Sequence, residues 1–178
     1  NNSGQDVNFY GSNGSVYRCT AANNIHFNTQ GECYEVEGRA GPTIAGYEVY
    51  DCTFIGNQIR SSIATITAAG SHGFLCIGGR GIKYIGNTIN RRGENGISLI
   101  GSQNVLIEGN QFQDLSRTGR NGILMNTDVF GATGSNYAVQ IIGNTFANGI
   151  DNSAINCHAN DVSSTSNRVI ITNNQISN

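Results

Sequence analysis

Apolar residues recur along this chain on alternate positions in short bursts, and each burst runs into an asparagine. The clearest is Asn104-Val105-Leu106-Ile107-Glu108-Gly109-Asn110-Gln111-Phe112, which reads as one strand and its exit turn. With Asn110 as reference, equivalent bursts centre on Asn57, Asn87, Asn144 and Asn174, and a Gly precedes each Asn except Asn174, which follows Asn173. Two residues past each Asn stand Ile59, Ile89, Phe112, Phe146 and Ile176. Three before stand Phe54, Tyr84, Ile107, Ile141 and Ile171, and five before stand Cys52, Ile82, Val105, Val139 and Val169. Alternate residues of a strand share a face. These positions therefore predict one buried face, with Lys83, Glu108, Gln140 and Thr172 turned the other way.

The reference asparagines are separated by 30, 23, 34 and 30 residues, a repeat in the range of solenoids and similar arrays. One copy cannot bury its apolar face alone, so successive copies must stack. Stacking brings the asparagines into one column, where each side-chain amide can bond the next and avoid the roughly 1–3 kcal/mol cost of unpaired burial. An asparagine ladder is the prediction. A second series lies between these bursts: His72-Gly73-Phe74-Leu75-Cys76, Asn95-Gly96-Ile97-Ser98-Leu99, Asn121-Gly122-Ile123-Leu124-Met125 and, less regularly, Asn152-Ser153-Ala154-Ile155-Asn156. Each coil thus holds at least two strands joined by a Gly-containing bend, with room for a short third, and no helix is expected.

Every copy runs in the same sense, so equivalent strands of successive coils must pair in parallel. The N-V-x-I-x-x-N-x-I pattern, repeated over about residues 47 to 178, resembles the right-handed parallel β-helix superfamily of pectate lyase type. The resemblance implies an all-β fold: a right-handed, single-stranded parallel β-helix, a solenoid of about six coils and about 30 Å at the ordinary strand spacing. Residues 1–178 read as one domain, with 1–46 as irregular first coils and 47–178 as regular ones. In the irregular part Val7-Asn8-Phe9 and Ile25-His26-Phe27 keep the alternation. The chain begins without Met and its last copy has nothing to cover its strand edge, so a segment of a longer chain is expected. The open edge also invites a homotrimer or end-to-end self-assembly.

Composition narrows the partners. With 10 Lys and Arg against 12 Asp and Glu, net charge −2 and only 12% charged residues, the chain has neither a basic footprint for nucleic acid nor the high net charge of a disordered segment. No apolar run approaches the length that spans a membrane, and no membrane partner is expected. The 5 cysteines leave at least one unpaired. Cys52 and Cys76 fall on inward positions and read as small buried hydrophobes. A bridge between Cys19 and Cys33 would pin the first coils in an oxidising compartment, and bridge and free thiols stay equally open. No C-x-x-C pair suggests zinc; no metal and no cofactor is expected.

Candidate chemistry gathers in the bend after the Asn strand of three neighbouring coils: Arg91-Arg92-Gly93-Glu94, then Asp114, Arg117 and Arg120, then Asp151. Stacking sets adjacent coils about 5 Å and alternate coils about 10 Å apart. Carboxylates roughly 5–5.5 Å apart perform retaining glycoside hydrolysis, and roughly 6.5–9.5 Å inverting hydrolysis. Glu94, Asp114 and Asp151 are therefore the candidate acid and base, and Arg92, Arg117 and Arg120 the groups to hold the carboxylates of an acidic polysaccharide. The plain alternative is that solvent-facing bends collect charges of little consequence. Two longer loops, 126–136 and 156–167, predict a lip that carries Asp128, His158 and Asp161. A His beside a carboxylate there suits substrate contact or a proton shuttle, against the plainer reading of a polar loop. His26 and His72 read as structural, and Tyr84 as core.

The resemblance further implies an extracellular protein, secreted or on a virion surface, that acts on polysaccharide as a glycoside hydrolase or lyase in the manner of a phage tailspike. Asn126-Thr127-Asp128, His72-Gly73 and Arg80-Gly81-Ile82-Lys83 look like fragments of the N-T-D, G-H-G and R-I-K signatures of the polygalacturonase relatives, but in the wrong order. The Y-G-x-D-P-H signature of alginate epimerases and the W-x-D-H signature of pectate lyases do not occur. On a uronate polymer, β-elimination by an Arg or His base stands beside hydrolysis. The competing class is non-catalytic: a structural β-helix stalk or filament, or a glycan-binding adhesin segment.

Overall fold

The computed structural model describes residues 7–11, 14–27, 33–38, 48–60, 72–90, 94–115, 120–126, 128–129, 132–133, 136–147, 150, 152–157 and 168–177. Among these residues there are strands and bends and no helix. Three parallel sheets carry the structure, each of six strands. The first is built from Val7–Tyr10, Tyr34–Glu37, Phe74–Ile77, Ile97–Ile100, Asn121–Asn126 and Ser153–Cys157. The second is built from Thr20–Ala22, Thr53–Ile55, Lys83–Ile85, Leu106–Glu108, Gln140–Ile142 and Ile170–Thr172. The third is built from Ile25–Phe27, Gln58–Arg60, Thr88–Asn90, Gln111–Gln113, Thr145–Ala147 and Gln175–Ser177. The chain visits the first, second and third sheets in turn and starts again one strand further along, which is a parallel β-helix. Four strands of each sheet lie between neighbours on both sides, so the stack amounts to about four enclosed turns with an edge rung at each end, slightly short of six regular coils.

Each apolar burst is two strands rather than one. Ile107 and Phe112 both face the core, yet they are separated by an odd number of residues and could not share a face of one straight strand. A hinge between Leu106–Glu108 and Gln111–Gln113 turns the second set of side chains back inward. The hinge residues Asn23, Gly56, Gly86, Gly109, Gly143 and Asn173 all have left-handed backbones, with φ of 56, 64, 58, 63, 63 and 55°. Only Gly, and to a lesser degree Asn, adopts that conformation cheaply, which is the physical reason a Gly or Asn precedes every ladder asparagine.

Immediately after the hinge come Asn24, Asn57, Asn87, Asn110, Asn144 and Asn174. In each of the first five, backbone N–H and Nδ2 both donate to Oδ1 of the next asparagine, at 2.9–3.1 Å. The Nδ2 groups of the last five also donate to a backbone carbonyl of the preceding coil, as from Asn110 to Tyr84 at 2.9 Å. The ladder predicted from five asparagines thus has a sixth rung at Asn24.

Inside the three sheets the same register stacks like on like. Phe54 lies on Tyr84 with ring centroids 5.2 Å apart, Tyr34 on Phe74 at 4.7 Å and Phe112 on Phe146 at 4.7 Å. Each fully buried ring contributes about 1.5–3 kcal/mol. Cys33, Cys52 and Cys76 are buried, and no disulfide joins Cys19 to Cys33. Thr53 N–H bonds the Cys19 carbonyl at 2.8 Å, and this register makes Cys52, not Cys33, the counterpart of Cys19 in the next coil.

Candidate functional site

The bend from the third sheet to the first holds most of the predicted cluster. Its start is fixed by Gln111–Gln113, after which Asp114 takes a left-handed backbone, φ 49°, and Leu115 drops into the core. Asp114 itself is half-buried.

The end of the bend is fixed by a second column of asparagines. Asn121 N–H and Nδ2 donate to Oδ1 of Asn95 at 2.9 and 3.0 Å, and Nδ2 of Asn152 donates to Oδ1 of Asn121 at 3.2 Å. These bonds point toward earlier coils, opposite to the first ladder. Asn95 Nδ2 in turn donates to Ser98 Oγ at 3.2 Å, and Ser98 Oγ stands 3.1 Å from Nδ1 of His72. All of these groups except Asn152 are buried, so the row is a polar seam that holds the start of the first-sheet strands in line.

Glu94 and Arg120 precede the first two asparagines of that column and so occupy equivalent places in adjacent coils. Arg120 Nη1 lies 2.6 Å from Glu94 Oε2; the Glu94 side chain is 7% exposed and that of Arg120 31%. A charge-assisted contact this short is among the stronger polar interactions, and here a buried carboxylate fixes the cation of a partly exposed arginine. The backbone continues the alignment, with Asn152 N–H bonded to the Arg120 carbonyl at 3.1 Å.

Of the residues predicted for this cluster, the structure brings Glu94 and Arg120 together and places Asp114 at the opposite end of the same bend. Arg92, Arg117 and Asp151 lie outside the described residues, as do His158 and Asp161 of the predicted lip. Asp128 begins the strand Asp128–Val129, which pairs antiparallel with Ala132–Thr133. That hairpin follows Asn121–Asn126 and so belongs to the connection from the first sheet to the second, a different corner of the rod. The seam through His72, Ser98, Asn95, Asn121 and Asn152 was not anticipated as a hydrogen-bonded unit. Its signal was the H-G or N-G at the start of three successive first-sheet strands, His72-Gly73, Asn95-Gly96 and Asn121-Gly122.

The architecture defines the class: this chain is a parallel β-helix. No model of a known protein family matches it, and no curated protein matches it. Among solved structures it is similar to the A-module of mannuronan C-5 epimerase AlgE4 from Azotobacter vinelandii, at 16% identity and a TM-score of 0.62, over 90% of this chain and 43% of that one. It also aligns with the A-module of mannuronan C-5 epimerase AlgE6 from the same organism, at 15% identity and a TM-score of 0.46, over 98% of this chain and 56% of that one. The chain therefore spans about half the length of these structures, and the likeness is one of fold.

Proposed function

We propose that this chain is a polysaccharide-acting segment of β-helix, extracellular in setting, whose bend between the third and first sheets contacts an acidic glycan. The observation that carries the reading is the Glu94–Arg120 pair: the carboxylate of a side chain 7% exposed holding the guanidinium of a side chain 31% exposed. A planar guanidinium fixed in this way suits the carboxylate of a uronate sugar better than a mobile surface cation does. The fold likeness to a protein named for action on mannuronan supports the same substrate class. Glu94, tied to Arg120, then serves as a positioning residue rather than as the acid of a catalytic pair. Acid–base work falls to Asp114, with Asp151 as its partner: one carboxyl protonates the leaving oxygen as the glycosidic bond breaks while the other takes the proton of the incoming water.

The test is turnover and binding on a panel of acidic and neutral polysaccharides, followed by reducing ends and by the ultraviolet absorbance of unsaturated uronates. Asp114→Ala should abolish product. Arg120→Lys should raise KM about tenfold on acidic polymers only, the loss of one charged hydrogen bond of about 1.5 kcal/mol. Product with unsaturated ends would replace hydrolysis by elimination. Neither product nor retention in affinity electrophoresis on any glycan would overturn the reading.

A further inference from the structure

The corner between the first and second sheets carries a row of planar side chains along the rod. Val16–Tyr17 pairs in parallel with Val49–Tyr50, and single bridges then join Tyr50 to Arg80, Arg80 to Gln103 and Gln103 to Tyr137. Backbone bonds of 2.9 Å, from Asp51 to the Arg80 carbonyl, from Gly81 to that of Gln103 and from Asn104 to that of Tyr137, hold the row at one residue per coil. Tyr50, Gln103 and Tyr137 are half-buried and Arg80 is exposed, so solvent reaches all four.

The two tyrosines at the ends of this stretch are braced from opposite sides. The Tyr50 ring stacks on Tyr17 of the coil before it, with centroids 5.2 Å apart and planes 9° from parallel. The Tyr137 ring carries the Arg168 guanidinium of the coil after it, 5.2 Å from its centroid. Their remaining faces look toward each other across two coils, with roughly 14 Å between the two tyrosine positions at the ordinary strand spacing. Tyr137 is further fixed by buried Asn136, which accepts from the Ser102 N–H at 3.0 Å and donates to the Asn126 carbonyl at 2.8 Å. Arg80 and Gln103 form the floor between the rings. The Arg80 guanidinium lies 3.4 Å from the Glu48 carboxylate, so that floor has both donors and acceptors and no net charge.

We infer that this notch is a glycan subsite for uncharged sugar rings, whose C–H faces pack on Tyr50 and Tyr137 while Gln103 and the Arg80–Glu48 pair bond their hydroxyls. It lies at a different corner from the Glu94–Arg120 bend and takes the opposite charge class of sugar, so it does not depend on that reading. Single-stranded nucleic acid also stacks on aromatic rings, but it needs a positively charged groove, and here the cation of the floor is matched by Glu48.

The experiment is a titration of the full 178-residue chain, labelled on its 7 tyrosines, with cello-, manno- and malto-oligosaccharides, followed by the ring signals in nuclear magnetic resonance. Tyr50 and Tyr137 should shift saturably with a neutral oligosaccharide, while the fully buried Tyr34 and Tyr84 stay still. Tyr50→Ala and Tyr137→Ala should each raise Kd at least tenfold, and Tyr137→Phe should keep the parent value. The ring shifts of the parent decide the inference even where an alanine variant folds poorly. No shift with any neutral oligosaccharide would overturn it, as would shifts confined to oligogalacturonate or to oligodeoxythymidylate. Retention of an acidic polymer without tyrosine shifts would sink this subsite and leave the bend standing.

Discussion

Asn87 and Asn110, 23 residues apart in the chain, are joined by two hydrogen bonds: the backbone N–H and Nδ2 of Asn87 both donate to Oδ1 of Asn110 at 2.9 Å. Asn110 passes the same pair on to Asn144. Asn110→Ala removes the oxygen that accepts from both the backbone N–H and Nδ2 of Asn87, together with the Nδ2 bonds to Asn144 Oδ1 and the Tyr84 carbonyl, and at about 1–3 kcal/mol for a stranded buried group the expected loss is about 3–5 kcal/mol after partial relaxation. Asn174→Ala removes the same acceptor where water can replace it, and should cost less than about 2 kcal/mol. Urea denaturation at equal m-value compares the two. Equal losses would contradict a ladder that depends on burial.

Gly122 should resist substitution for a reason quite different from that at Gly86. A Cβ at Gly122 would stand 2.6 Å from the Ala154 carbonyl oxygen and from the Phe146 ring. That carbonyl belongs to the next coil and cannot retreat without loosening the sheet, so Gly122→Ala should cost about 1–3 kcal/mol by overpacking. At Gly86 nothing lies within 4 Å, but φ is +58°, and Gly86→Ala should cost about 1–2 kcal/mol through backbone strain alone. Gly86→Asn should be close to neutral, since Asn23 and Asn173 already occupy this hinge position. Thermal melts of the three variants separate crowding from strain.

The buried thiols predict an alkaline limit. Burial pushes the Cys52 thiol from an ordinary 9.0 up to about 11, and burial raises Cys76 and Tyr84 as well. The unfolded chain begins to lose the Cys52 proton near pH 9 while the folded chain keeps it. The unfolded state then binds fewer protons, so stability is full below pH 9 and falls as pH rises toward 11. Replacing Cys52 by Val, the residue at the equivalent positions 105 and 139, should flatten that decline in pH-dependent melts. At neutral pH a thiol reagent should modify exposed Cys157 first, and Cys33, Cys52 and Cys76 only on unfolding.

Much of the fold was legible because two constraints act on the same residues. Phe54, Tyr84, Ile107 and Ile141 must be apolar both to face inward along their strands and to stack across coils, so alternation and repeat agree on them. The hinge was hidden because it needs only one left-handed residue, and a Gly there looks like an ordinary turn. The corner before Cys19, Val139 and Val169 was hidden more completely, since Arg18, Ala138 and Arg168 carry left-handed backbones of 54, 52 and 55° against their own preference. Stacking holds them there. The first rung escaped notice because Ala21 and His26 stand where other coils carry large apolar residues.

The candidate site was legible as a neighbourhood rather than as a set of partners. Counting from the ladder asparagines places Glu94 seven residues after Asn87 and Arg120 ten after Asn110, and so conceals their equivalence. Counting back from the next strand reveals it, since each immediately precedes an N-G. Bends of unequal length lose register with what lies before them and regain it with the strand that follows.

That unequal spacing has a mechanical meaning. Successive ladder asparagines are 33, 30, 23, 34 and 30 residues apart, yet every coil advances the rod by the same strand spacing of about 4.8 Å. The rod is a ruler whose graduations do not depend on how much chain is spent between them. Loops can lengthen, shorten or change their chemistry at one graduation without moving any other. A row of side chains on its flank therefore keeps a constant pitch, which any polymer that is to lie along it must match.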